Sequence, residues 1–68
     1  MANQPVKDSE LELLGNAITE YRAKYRLTQE ELAKKCGVSR TTINYVESGR
    51  LKPTKKVMRQ IQMVVFGK

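Results

Sequence analysis

The 68-residue chain has no histidine, a single cysteine, Cys36, and a single phenylalanine, Phe66. The first two shortages each remove a class of function, and the third leaves little aromatic bulk. One cysteine cannot close an internal disulfide, and without histidine there is no Cys/His zinc cluster. No phosphate-loop glycine pattern and no paired carboxylate site stand out, and Ser39 and Cys36 have no base to activate them. The chain is therefore expected to be no enzyme and to need no cofactor or metal. No segment approaches the roughly 18 apolar residues needed to cross a bilayer, and the N-terminus lacks a signal-peptide core. A reduced, cytoplasmic setting fits these absences. Cys36 holds the helix-facing position of a small core residue rather than that of a reactive thiol.

What is present is a small core and an uneven charge. A chain of 68 residues allows one domain, and its 40% hydrophobic content is enough for a compact helical one. Such a domain is marginally stable, so its helix caps matter. The net charge of +6 is not spread evenly. Residues 1 to 33 hold four basic and six acidic side chains, a balance of −2, whereas residues 34 to 68 hold nine basic ones against Glu47 alone, a balance of +8. A polyanion is the natural partner for such an asymmetry.

The basic half opens on the most punctuated stretch of the chain, TQEELAKKCGVSRTTINYVESG from Thr28 to Gly49. Thr28 supplies an N-cap oxygen and Glu31 reaches back to the cap amide, the reciprocal capping box. A helix therefore starts at Gln29, with Leu32, Ala33 and Cys36 on its apolar side, and ends at Gly37. Ser39 caps a second helix from Arg40 to about Ser48, which Gly49 closes. About three residues separate the two, the turn length of a helix-turn-helix. On the second helix, Ile43 and Val46 form a narrow apolar stripe with Val38 of the turn. Arg40, Thr41, Asn44, Tyr45 and Ser48 share the opposite face. That face carries hydrogen-bonding groups and almost no acid. Arginine pairs bidentately with guanine, asparagine with adenine, and threonine or an aromatic ring touches a thymine methyl. Any solvated helix face is polar, so it is the combination with the turn and the charge that points to nucleic acid.

Around this device the remaining segments read as scaffold. Residues 1 to 8 have no periodicity and are expected to form a flexible arm, with the domain spanning 9 to 66. Ser9 and Glu12 form a second capping box for a first helix whose Leu11, Leu14, Ile18, Tyr21 and Tyr25 recur as a buried stripe. That helix ends without glycine, so Tyr25 or Arg26 is expected to take a left-handed conformation at a cost of about 1 kcal/mol. After Gly49, Leu51 is expected to tuck under a loop in which Arg50 and Lys52 are available to phosphate oxygens. Pro53 blocks continuation of the helix, and Thr54 caps a last one. Its Val57, Met58, Ile61, Val64 and Val65 lie at helical spacing, with Lys55, Lys56 and Arg59 outside and Met63 and Phe66 off the stripe. The chain reads as four helices in one all-α unit.

The run from Leu27 to Arg50 closely resembles the helix-turn-helix of the phage-repressor and Cro class, the xenobiotic-response-element or lambda-repressor-like type. The marks are Leu27-Thr28-Gln29, Glu31-Leu32-Ala33, Gly37-Val38-Ser39, Ile43, Glu47, Gly49 and Pro53, with Leu14-Gly15, Ile18 and Arg22 extending the likeness backward. The resemblance implies an all-α domain of four to five helices that binds double-stranded DNA. It implies that Arg40, Thr41 and Tyr45 read bases, with Asn44 a further candidate, and that Gln29, Ser39, Arg50 and Lys52 contact phosphate. It also implies that Gln29 braces a recognition side chain. Arg22 and Glu47 match a largely buried ion pair whose breaking would cost about 3 to 5 kcal/mol. Arg26 departs from the pattern, standing where glycine is common. With its end at Phe66-Gly67-Lys68, the chain is expected to have no room for the fifth helix through which many members dimerise.

The leading expectation is a sequence-specific regulator, a repressor, that inserts helix 40–48 in the major groove of a two-fold symmetric operator. A homodimer forms at least on DNA, with Met63, Val65 and Phe66 near the contact. The alternative is an antitoxin or phage accessory protein whose main role is to bind a protein partner through the apolar C-terminus. RNA binding is a weaker rival, because a rigid helix face without a stacking platform suits duplex DNA better.

Overall fold

A computed structural model describes residues 9–67 of the chain. The expected arm over residues 1–8 and the Ser9 side chain of the first capping box lie outside the described part. Four helices follow one another: α1 (Ser9–Tyr25), α2 (Gln29–Cys36), α3 (Arg40–Glu47) and α4 (Lys55–Val65). No strand is formed among the described residues.

The caps that the sequence announces set the boundaries. The Thr28 hydroxyl accepts from the Glu31 amide at 3.0 Å, and the Glu31 carboxylate accepts from the Thr28 amide at 2.8 Å. Ser39 and Thr54 likewise accept from the amides of Thr42 and Val57. Each bond satisfies one of the donors that a helix start leaves open, about 1 kcal/mol per cap.

The first three helices end in one way. After α1, the Leu27 amide donates to the Arg22 carbonyl and the Arg26 amide to that of Ala23. The same pair of reverse bonds closes α2 at Val38 and Gly37, and α3 at Arg50 and Gly49. This arrangement requires a left-handed residue. Gly37 and Gly49 provide it at φ 75° and 76°, and at the end of α1 the residue is Arg26, at φ 56°. Of the two candidates, Arg26 is thus the strained one. Ser48 caps α3 rather than belonging to it.

The core is one cluster of Leu14 and Ile18 from α1, Leu32, Ala33 and Cys36 from α2, Ile43 and Val46 from α3, and Ile61 from α4. Val57, Met58, Val64 and Val65 pack against it from α4, and Val38 from the turn. Thus α2 is packed on α3 and α4, and α1 on α3 and α4, which holds the two helices of the motif at a fixed angle from both sides.

Two expectations of burial fail. Tyr25 is 53% exposed. The chain turns back at Arg26 directly after it, so nothing closes over the last turn of α1, and the ring leans instead on Tyr21 at 4.7 Å between centroids. Leu51 is exposed as well; Pro53 is the residue of that loop that turns inward.

Candidate nucleic-acid interface

The outward face of α3 follows from its apolar one. With Ile43 and Val46 fully buried, the 100° step of the helix leaves Arg40, Thr41, Asn44, Tyr45 and Ser48 in solvent. Tyr45 keeps 41% of its surface exposed, enough to present an edge and a hydroxyl. Arg50 and Lys52 are exposed in the loop after α3, and Lys55, Lys56 and Arg59 are exposed on α4.

The one acid of this half is withdrawn from the field. Glu47 accepts from Arg22 Nη1 at 2.8 and 3.0 Å, from Gln29 Nε2 at 2.9 Å and from Thr19 Oγ1 at 2.7 Å. Arg22 also donates through Nε to the Leu27 carbonyl at 3.1 Å, so one guanidinium fixes both the end of α1 and the end of α3. The side chains of Arg22 and Glu47 remain 26% and 12% exposed. The pair is thus largely buried, but water still reaches the partner left behind, so breaking it costs about 3 kcal/mol, the low end of the expected range. Burial by itself raises the pKa of the Glu47 carboxyl. The hydrogen bonds from Gln29 and Thr19, with the charge and hydrogen bonds of Arg22, outweigh that and hold it below the ordinary glutamate value.

Gln29 sits at the start of α2, half-buried, and its amide nitrogen serves two acceptors. One is Glu47; the other is Asn44 Oδ1 on α3, at 3.3 Å. Both hydrogens of the nitrogen are thereby engaged, so a phosphate contact by this group would require it to release one of them. The Asn44 oxygen accepts one of these bonds and keeps its second lone pair, so the two-point pairing with adenine expected from asparagine stays open. Ser39 is exposed, but its hydroxyl accepts from the Thr42 amide and shares a 2.9 Å hydrogen bond with the Thr42 hydroxyl. Thr19 and Thr42 are members of these networks that the sequence reading missed. The spacing of Thr19 to Arg22 on α1, one turn apart, is the signal that would have found the first; nothing distinguishes Thr42 from its neighbour Thr41.

Cys36 is 4% exposed in the core. Desolvation pushes its thiol pKa up and the Lys35 charge offsets only part of this, which leaves an inert packing group. Among the described residues no cluster of Cys, Asp or Glu is arranged to hold a metal ion, and no helix is long and apolar enough to cross a membrane.

Two short capped helices, a three-residue turn closed by a left-handed glycine and an outward polar face are the parts of a helix-turn-helix. The profile of the helix-turn-helix family matches residues 18–64. The chain belongs to that family, in its lambda-repressor-like class. This helix-turn-helix protein is 51% identical over 47 residues to an HTH-type transcriptional regulator of Archaeoglobus fulgidus, covering 69% of this chain and 67% of the relative. It is 50% identical over 46 residues to one of Methanocaldococcus jannaschii, covering 68% and 70%. It is also 36% identical over 52 residues to the ImmF control region 10 kDa protein of Bacillus phage phi105, covering 76% of this chain and 58% of that protein. As a member of this family the chain is a DNA-binding transcriptional regulator.

Proposed function

We propose that this regulator is a sequence-specific repressor that lays α3 in the major groove of duplex DNA in the cytoplasm, without catalysing a reaction. The observation that carries the reading is the pairing of an acid-free polar face on α3 with the sequestration of Glu47. The one carboxylate that would repel phosphate is neutralised by Arg22, while Arg40, Arg50 and Lys52 stay exposed. Arg40, Thr41 and Tyr45 discriminate bases and Asn44 joins them. Arg50 and Lys52 set the register on the phosphates, and Ser39 lies beside them at the start of α3. Gln29 contributes mainly by bracing α3. The regulatory sense is supported by the phage relative, whose name places it in a control region.

One domain offers a small interface, and two half-sites about one helical turn apart are the usual route to tight binding. The repressor accordingly acts as a homodimer on a two-fold symmetric operator. Support comes from the far end of the molecule, where Met63 and Phe66 are 56% and 50% exposed. There, Tyr25, Val65 and Phe66 line an open groove between α1 and α4. The same groove is what favours the second reading, a protein partner of another kind.

Selection of bound sequences from a random duplex pool tests the function. An enriched motif with two-fold symmetry supports the whole reading. A motif without symmetry removes the dimer, and an unenriched pool removes sequence-specific binding.

A further inference from the structure

Ala17, Glu20, Lys24 and Tyr25 of α1 face Val65 and Phe66 of α4 across the open groove between the two helices. The groove lies on the side of α1 away from α3. Gly15, Thr19 and Arg22, which meet Glu47 at the end of α3, share one side of α1, and the helix step puts Ala17 and Lys24 about half a turn round from them. A body seated in the groove therefore leaves the outward face of α3 uncovered. Leu13, 67% exposed, continues the α1 rim one turn before Ala17. On α4 the exposed Gln62, Arg59 and Lys55 continue the rim back from Phe66 at helical spacing.

The two rims differ in charge. Outside the Arg22–Glu47 pair, α1 carries Glu10, Glu12 and Glu20 against Lys24, whereas α4 carries Lys55, Lys56 and Arg59 and no acid. Lys24 stands over the Tyr25 ring, 5.5 Å from its centroid. Neither Glu20 nor Arg59 is held in an ion pair among the described residues. Two copies can meet groove to groove in two ways. With the two-fold axis across the groove, α4 lies on α4 and its cations meet their own copies. With the axis along the groove, each α1 lies on the other copy's α4, acid against cation at both symmetric places.

We propose that the groove is filled by a second copy of this chain in the latter way, α1 of each copy lying on α4 of the other, with Glu20 against Arg59 of the partner subunit. This rests on the homodimer reading and adds to it the face and the pairing. Closure of Leu13, Tyr25 and Phe66 from water supplies the attraction, and the charges choose between the two axes.

The test is sedimentation equilibrium of the full chain without DNA, for the wild type, Glu20→Lys, Arg59→Glu and the variant carrying both changes. Each substitution acts twice in a two-fold interface, so either single reversal should weaken the dimer by about tenfold or more. The double variant restores both pairs with their signs exchanged and should return to within about threefold of the wild type. Both side chains are exposed, so the core is untouched, and circular dichroism establishes that each variant keeps its helices. Phe66→Ala, which removes apolar surface and no charge, should weaken the dimer with no rescue by the double reversal.

Dimers of unchanged affinity in both single variants overturn the inference and move the contact to another face, while the homodimer reading stands. So does a double variant as weak as the singles, which would show that the two residues do not meet. A wild type that stays monomeric at every concentration also overturns it and leaves the groove to a partner of another kind; two copies of that monomer on one operator duplex would still uphold the homodimer on DNA.

Discussion

Gly15 of α1 lies against the end of α3, so close that a Cβ built on it would stand 2.7 Å from the Glu47 carbonyl oxygen and 3.3 Å from that of Val46. Both obstacles are backbone, which cannot rotate aside. Gly15→Ala must therefore separate α1 from α3 and strain the Arg22–Glu47 contact that spans the same crossing. Alanine in a helix gains about 1 kcal/mol over glycine, but overpacking of this kind costs more, and a net loss of about 1 to 2 kcal/mol is expected. For a domain of this size that lowers the melting temperature by roughly 5 to 15 °C. Thermal unfolding followed by circular dichroism reads it directly, and an unchanged or raised midpoint would contradict the close approach.

Arg26 at φ 56° is the non-glycine residue in the left-handed region among the described residues. Glycine there removes a penalty of about 1 to 2 kcal/mol while adding about 0.4 to 1 kcal/mol of unfolded-state entropy. Arg26→Gly is expected to stabilise the domain by about 0.5 to 1 kcal/mol, seen as a higher urea midpoint at an unchanged slope. No gain would mean that the arginine side chain contributes as much as its backbone strain costs.

The caps and the core were legible in the sequence for a physical reason. Thr28, Glu31, Ser39 and Thr54 act on amides three residues away, and Leu32, Ile43, Val46 and Ile61 declare themselves by local period, so neighbouring letters contain the whole interaction. The failures concern residues whose surroundings come from elsewhere in the chain. Tyr25 lies on the right stripe, but its burial depends on whether another element covers the end of α1. Thr19 bonds a carboxylate 28 positions away, and the Gln29 hydrogen bond to Asn44 is set by an ion pair from two other places. The resemblance to known helix-turn-helix proteins supplied the Arg22–Glu47 pair, which spacing alone would not have revealed. Neither route indicated which way the Asn44 amide turns.

The Glu47 pKa is lower in the folded chain than the ordinary glutamate value of 4.5. The unfolded chain then binds a proton there more readily than the folded one, so the stability gained is complete above about pH 4.5. It is lost as the pH falls through the lower native value. Glu47→Gln, which keeps an acceptor for Arg22 but no charge, should cost about 1 to 3 kcal/mol at pH 7. It should also lose less stability than the wild type between pH 5 and pH 2.5, measured by urea unfolding at each pH. Parallel pH profiles for the two proteins would show that Glu47 does not contribute to acid sensitivity.

Arg40 and Lys52 are both exposed cations, yet they occupy different places relative to a groove. Arg40 is the exposed first residue of α3, at the edge of its outward face, whereas Lys52 lies in the loop beyond the helix. If α3 enters the groove, Arg40→Ala should weaken binding to the selected operator by about 1 to 3 kcal/mol and relax the preference at one base pair, with a smaller effect on random duplex. Lys52→Ala should weaken operator and random duplex alike and reduce the slope of log K against log salt by about 1, since one fewer counterion is released. Titrations of both DNAs at several salt concentrations separate the two behaviours. Equal losses on operator and random duplex for Arg40→Ala would remove it from the base-reading set, and a selective loss for Lys52→Ala would move the reading surface off α3 and into the loop.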